Sequence, residues 1–273
     1  MKIALVTNNY KPYGGGVVSA IEVIAAQFVS FGHQVYIITL DFEGRGDGFE
    51  GEIAIIRVFC PIRFIYQTKH IAIPWWPSHA VLQILAKIKP DIIHSQHPFL
   101  LGVAAIKAGQ KLGIPVVFTY HSQYEKFAHL VPLPEILCTS LIRHKIINYC
   151  NQVDGIVAPS SFVAQFLQSQ GCAVQTKIIP SGVAPFYLES RSVYKKIKKR
   201  FELLTVSRFA KEKDLPLLLK MFSKLVRLNP NFNLTLAGYG PEKENLVHYA
   251  YQVLNLSEAQ VLFVERPSKN QIK

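Results

Sequence analysis

The residues of this chain best suited to chemistry stand at the ends of short apolar runs. Leu204 to Ser207 leads into Arg208, and Lys213 follows five residues later. After a helical segment, a second β-prone run from Asn233 ends in Gly238-Tyr-Gly240-Pro. Two fixed cations and a tight glycine turn on one sheet edge suit a diphosphate, Arg offering planar multidentate donors and Lys a point charge. Salt bridges to Glu212 or Asp214 are the structural alternative for that pair. Gly14-Gly15-Gly16 follows the first apolar run and precedes a helix, where backbone can approach a phosphate and a helix N-terminus offers free N–H groups. It can equally be a plain turn. His121 closes the run Val116-Val-Phe-Thr-Tyr120, a place from which an imidazole can hydrogen-bond a hydroxyl and stabilise transition-state charge. Alternatively it is structural. His94 and His97 are three apart, but no carboxylate or cysteine is placed with them to complete a metal site.

The elements that must position these groups are legible in the hydropathy pattern. Strands are expected at residues 3–7, 35–40, 53–59, 91–94, 116–119, 155–158 and 177–179, with helices over 17–31, 78–88, 102–112, 133–150 and 161–170. Continuous apolar strands alternating with helices imply an α/β fold with a parallel sheet covered on both faces. The pattern loosens after Gly182, passes through a basic stretch (Arg191, Lys195, Lys196, Lys198, Lys199 and Arg200) and restarts at Phe201. Strands at 203–207, 232–237 and 261–264, with helices over 215–228 and 242–254, make half of a doubly wound sheet. The expected division is therefore 1–185, a basic linker at 186–200, and 201–273.

Composition narrows the classes. A net charge of +12 favours anionic partners: nucleotides, acidic lipid headgroups or nucleic acid. The basic residues fall into no recognition module, which argues against a charge-driven nucleic-acid binder. Cys60, Cys138, Cys150 and Cys172 contain no C-x-x-C pair, so a reducing cytosol is the expected setting. The first nine residues hold too short an apolar run for a signal peptide, and no segment reaches the roughly 20 apolar residues that span a bilayer. Phe64, Tyr66, Trp75 and Trp76 sit in a proline-punctuated segment that reads either as core or as an interfacial loop, since Trp and Tyr favour membrane–water boundaries. Residues 133–150 carry apolar side chains all round, with Arg143, His144 and Lys145 a faint lipid-headgroup signal.

The Arg208…Lys213 and Gly238-x-Gly240 segments closely resemble the donor-binding region of the retaining nucleotide-sugar glycosyltransferases of GT-B architecture, the family 4 and group 1 type. The Thr119-Tyr120-His121-Ser122-Gln123-Tyr124 run resembles the family's Thr-x-His-Thr/Ser-x-Tyr segment. Its continuation through Phe127, His129 and Pro132 is similar to enzymes that glucosylate diacylglycerol. His94 to Gly102 resembles a cleft-supporting segment of lipid-directed members. The resemblance implies a complete N-terminal, acceptor-side Rossmann-like domain and the first half of a nucleotide-sugar-binding one. It implies His121 as catalytic residue and Gly15, Gly16, Arg208, Lys213, Gly238 and Gly240 as donor-binding residues, converging on one cleft. His94, His97, Tyr120, Tyr124, Trp75 and Trp76 become acceptor or cleft residues. The implied partners are a UDP- or GDP-hexose, a lipid acceptor and an anionic membrane surface, without metal, cofactor or nucleic acid. The implied location is cytoplasmic, peripheral on the inner face of the membrane. Asp214 stands where the family commonly has glycine or asparagine, and Glu265 where glycine is usual. A pair of glutamates expected beyond the last strand is absent, which leaves open a truncated, inactive remnant that still binds membranes.

Overall fold

The computed structural model describes residues 1–12, 14–66, 69–124, 135–188, 201–268 and 270. The basic stretch 191–200 and Phe127, His129 and Pro132 lie outside the described residues. The chain divides into unit 1, Met1–Ala184, and unit 2, Pro185–Lys273.

Unit 1 opens β1 (Lys2–Val6), α1 (Gly16–Ser30), β2 (Gln34–Leu40), β3 (Gly48–Glu50) and β4 (Ile53–Val58). A hairpin, β5 (Ile62–Tyr66) and β6 (Lys69–Ile73), precedes α2 (Pro77–Ile88). Then come β7 (Ile92–Ser95), α3 (Leu101–Leu112), β8 (Val116–Thr119), α4 (Glu135–Cys150), β9 (Gly155–Ala158), α5 (Ser161–Ser169) and β10 (Thr176–Ile178). Eight of these strands form one sheet, ordered β10-β9-β8-β7-β1-β2-β4-β3, with every pairing parallel except β3 against β4. Period-two alternation sends Ile3 and Leu5 to one face, where they pack with Val18, Ile21 and Ala25 of α1. Ala4 and Val6 face the other side, against Val81, Leu85 and Ile88 of α2 and Leu101, Ala104 and Ala105 of α3. Helices on both faces follow from strands that are apolar on both faces.

Two elements of unit 1 escaped the hydropathy pattern. Strand β3 is short and enters antiparallel, pairing Phe49 with Ala54. The segment with Phe64 is a hairpin, pairing Ile62 with Ile73 and Phe64 with Ile71.

Unit 2 begins with α6 (Pro185–Leu188), followed by β11 (Phe201–Val206), a 3-10 turn at Lys211–Lys213, α7 (Leu215–Leu228), β12 (Phe232–Gly238), α8 (Lys243–His248) and β13 (Val261–Glu265). The expected helix over 242–254 changes pitch midway, Tyr249–Val253 continuing α8 as a π-helical turn. The three strands are parallel, in the order β11-β12-β13. On one face Leu234, Leu236 and Val261 pack with Leu219, Phe222 and Val226 of α7 and with Leu246 and Ala250. On the other, the register sets Leu204 beside Thr235 and Thr235 beside Leu262. Leu204 and Leu262 are 58% and 54% exposed.

Candidate active site

In unit 1 the strand order reverses between β1 and β7, the place where open parallel sheets bind ligands outside their carboxyl ends. The two loops that leave these strands are tied together. The Asn8 amide N–H donates to His97 Nδ1 at 3.3 Å, and Thr7 Oγ1 lies 3.2 Å from the same nitrogen. The Asn8 side chain donates to the Phe99 carbonyl (3.0 Å) and accepts from the Leu101 N–H (3.1 Å), which pins the entry to α3. Farther along the first loop, the Tyr10 hydroxyl donates to Glu50 at 2.9 Å, and Lys11 Nζ bridges Glu22 and Glu50 at 2.6 and 2.7 Å. Strand β3 thus anchors the base of the glycine loop. Gly15 has φ 149°, and a Cβ built at Gly14, Gly15 or Gly16 would meet no atom within 4 Å. That backbone is open to a ligand at the start of α1.

The three histidines at the ends of β7 and β8 form one group. His94 and His97 are buried and His121 half-buried. His94 Nε2 sits 2.7 Å from Thr119 Oγ1, and His121 Nε2 sits 2.6 Å from Gln96 Oε1. The pKa of each is pulled down to about 4, by burial in all three and, as a lesser cause in His94 and His97, by nearby His121. All three are therefore neutral at pH 7, able to exchange hydrogen bonds but carrying no charge. Beneath them the Tyr149 hydroxyl donates to Ser95 Oγ at 2.6 Å, and Ser95 Oγ donates to the His97 carbonyl at 3.1 Å. Tyr120 is buried and meets Tyr124 edge-on at 5.6 Å, and Tyr124 meets Phe99 in the same way. Burial raises the Tyr124 phenol well above its usual range. Among the described residues, no three His, Cys, Asp or Glu side chains are grouped as a metal would need.

Trp75 and Trp76 stand on the connection from the hairpin to α2, stacked on each other at 5.4 Å and each 71% exposed. Of the two readings open for the aromatics of this segment, the core one does not hold for Phe64, Trp75 or Trp76, and the Tyr66 side chain lies outside what the structure describes. Ile62, Phe64 and Ile73 on one face of the hairpin are exposed as well.

In unit 2 the Arg208 and Lys213 side chains are exposed, and among the described residues neither joins a salt bridge, although Glu212 and Asp214 adjoin Lys213 in sequence. Their backbone is held by the glycine turn. Phe209 N–H donates to the Tyr239 carbonyl (2.9 Å) and Glu242 N–H to the Phe209 carbonyl (3.0 Å). A Cβ on Gly238 would lie 1.8 Å from the Ser207 carbonyl oxygen, and one on Gly240 2.3 Å from that of Phe209. Only glycine allows this approach, so both glycines shape the turn that carries Arg208. Asp214 takes a left-handed conformation (φ 47°), which fits a position where glycine or asparagine is common. Glu265 pairs with Lys243 at 2.5 Å.

Unit 1 thus brings together His94, His97, His121, Tyr120 and Tyr124, with the Gly15–Gly16 loop leaving the neighbouring strand. Unit 2 brings together Arg208, Lys213, Gly238 and Gly240. The pattern of residues missed Asn8, Ser95, Gln96 and Tyr149, which connect the unit 1 group. Gln96 lies inside the His94-to-His97 segment, but glutamine carries no compositional signal. Tyr149 arrives from 54 residues away in sequence.

Both units match known families. Residues 14–185 match the family model "Glycosyltransferase Family 4", and residues 187–273 match "Glycosyl transferases group 1". The alpha-monoglucosyldiacylglycerol synthase of Streptococcus pneumoniae is 27% identical over 263 residues, covering 92% of this chain and 58% of its own length. The synthase of the same name from Acholeplasma laidlawii is 25% identical over 262 residues, covering 89% and 64%. The chain therefore spans about three fifths of these curated relatives. Among solved structures, Anabaena HepE in complex with UDP covers 100% of this chain and 71% of its own, with a TM-score of 0.69 at 17% identity. That likeness shows a shared α/β fold. Matched over more than half of its length by the first of the two family models, the chain belongs to glycosyltransferase family 4.

Proposed function

We propose that the protein transfers a hexosyl group from a nucleotide sugar, a UDP- or GDP-hexose, to a membrane lipid such as diacylglycerol, with retention of anomeric configuration. The observation that carries this reading is the exposed pair Arg208 and Lys213, unbridged among the described residues, on a turn that Gly238 and Gly240 hold in place. Such a pair neutralises the diphosphate as it leaves, so the reaction needs no metal or other cofactor. The bond from the anomeric carbon to the diphosphate breaks, and the acceptor oxygen bonds to that carbon on the same face. The acceptor's proton passes to the departing phosphate oxygen, and no covalent enzyme intermediate is required. Gly15 and Gly16 leave backbone N–H groups accessible at the start of α1, and His121 offers a neutral imidazole to a hydroxyl.

The lipid acceptor is supported by the names of the two synthases and by the exposed aromatic and aliphatic surface of the β5–β6 hairpin with Trp75 and Trp76. With a net charge of +12, the chain would rest on the anionic, cytoplasmic face of a membrane. Among the described residues no helix is long and apolar enough to cross one. A binding protein without catalysis is the second reading. It is favoured by the three-stranded sheet of unit 2, on one face of which Leu204 and Leu262 are exposed among the described residues.

The test is transfer of radiolabel from UDP-glucose and GDP-mannose to diacylglycerol in anionic vesicles. Glycolipid should form, and Arg208→Ala with Lys213→Ala should reduce it at least 100-fold. Binding of donor and vesicles with no product from either sugar would select the second reading.

A further inference from the structure

Gln96 is fully buried, yet its amide is committed at both ends. Its Nε2 donates to the His94 carbonyl at 3.3 Å, and its Oε1 lies 2.6 Å from His121 Nε2. A backbone carbonyl can only accept, so the amide nitrogen must face His94 and the amide oxygen must face His121. An amide oxygen is also only an acceptor. The proton of the neutral His121 ring must therefore sit on Nε2, which leaves Nδ1 with a lone pair. The backbone of Gln96 is fixed as well, its N–H donating to the Val6 carbonyl at 2.9 Å. The amide is thus referenced to the central strand of the sheet.

We propose that Gln96 is a positioning residue that selects the Nε2–H form of His121 and so presents Nδ1 as the acceptor for a ligand hydroxyl. This rests on the proposed function in one respect: the hydroxyl belongs to the sugar of the nucleotide sugar. Among the described residues, the titratable groups that face His121 are His94, on β7, and His97, in the loop after it. His97 accepts at Nδ1 from the Asn8 N–H and is therefore itself an Nε2–H form. With both neighbours neutral and burial holding the His121 pKa near 4, the ring stays an acceptor throughout the physiological range. A ring with its proton on Nδ1, or an imidazolium, would offer a donor at the same place and reverse the hydrogen bond that it makes. The choice of which ligand group is accepted thus lies with an amide that touches no ligand.

The test is nitrogen-15 NMR of the full 273-residue chain with labelled histidine, read at pH 7.5 and through an acid titration. In the native chain His121 should show a protonated Nε2 and an unprotonated Nδ1. Gln96→Leu keeps the volume and removes the acceptor, so the two forms should become mixed. Gln96→Glu keeps the shape and adds a negative charge, so the His121 pKa should rise by at least one unit. If the leucine variant melts below working temperature, the glutamate variant alone decides. In calorimetry Gln96→Leu should weaken UDP-glucose about tenfold while binding of UDP is unchanged, a loss on the scale of one hydrogen bond. A native His121 protonated on Nδ1, or variants with the native tautomer and titration, would overturn the proposal. Failure of UDP-glucose to bind the native chain would count against the proposed function and leave the tautomer measured by NMR unaffected.

Discussion

Units 1 and 2 are built from the same βαβ grammar, but they differ in how much of it is closed. In unit 1 the central strand β1 has neighbours on both sides and helices on both faces, so Leu5 and Val6 are wholly buried in opposite directions. In unit 2 the edge strand β11 is exposed along nearly its whole length, and Leu204, Val206 and Leu262 show apolar surface on the uncovered face. The chemistry divides likewise. In unit 1 the three histidines are neutral, buried or half-buried, and each is hydrogen-bonded to a neighbouring polar group, whereas unit 2 presents two charged side chains on an exposed turn. A buried group can be given one orientation and one protonation state by its neighbours. An exposed cation needs only an address, and Gly238 and Gly240 supply it.

The largest effect that would break or sharpen this contrast is a matched pair of cavities. Leu5→Ala in unit 1 and Leu236→Ala in unit 2 each empty a fully buried site, at a cost of about 2–5 kcal/mol. Stability scales with size at roughly 0.1 kcal/mol per residue. The same loss should therefore remove a larger share of the hydrogen-exchange protection of unit 2, and lower it throughout that unit, while unit 1 loosens only around its cavity. Equal local loosening in both units would show that the open sheet is no weaker than the closed one.

Acid should act in the opposite direction, on unit 1 first. Unfolded histidines take up protons near pH 6.5, but His94, His97 and His121 do so only at about 4 when folded. Between those values the unfolded chain binds more protons, so stability falls as pH drops from 6.5 towards 4, by up to roughly 1.4 kcal/mol per pH unit for each histidine. Unit 2 has one histidine, His248, and it is exposed. Urea midpoints followed unit by unit should fall steeply with acid for unit 1 and change little for unit 2. Parallel decline in both would remove the histidine group as the cause.

The smallest stability effects belong to the exposed apolar residues of both units. Leu204→Thr with Leu262→Thr, and Ile62→Thr with Phe64→Thr, should each change stability by no more than about 0.5 kcal/mol per site. They should separate in another respect. The hairpin pair, like Trp75→Ala with Trp76→Ala, should reduce flotation with anionic vesicles, and the unit 2 pair should not. A reversed pattern would move the membrane-facing surface to unit 2.

Much of this contrast could be read from the residues, and the omissions have physical causes. The parallel strands and their helices were legible because central strands such as β1 and β8 are mostly apolar runs, and the segment at 116–119 coincides with β8. Strand β3 was not, because Gly48-Phe-Glu50 is too short to show a period and its pairing depends on β4 folding back. The hairpin was hidden because its outward face carries Ile62, Phe64 and Ile73, where alternation predicts polar residues. At the candidate site, the residue types with strong chemical signatures, His121 and Arg208, stood out. Gln96, Asn8 and Tyr149 did not, since a hydrogen-bond partner brought from a distant element leaves no trace in local spacing.

Central to the contrast is the proposal that Arg208 and Lys213 grip a diphosphate, and calorimetric titration of UDP-glucose tests it most directly. The native chain should bind, and single replacement of Arg208 or Lys213 by alanine should weaken binding at least tenfold. The double variant should lose measurable affinity without a change in the unfolding of unit 2. Binding that survives the double replacement, or a well-folded native chain that takes up neither UDP-glucose nor UDP, would contradict it.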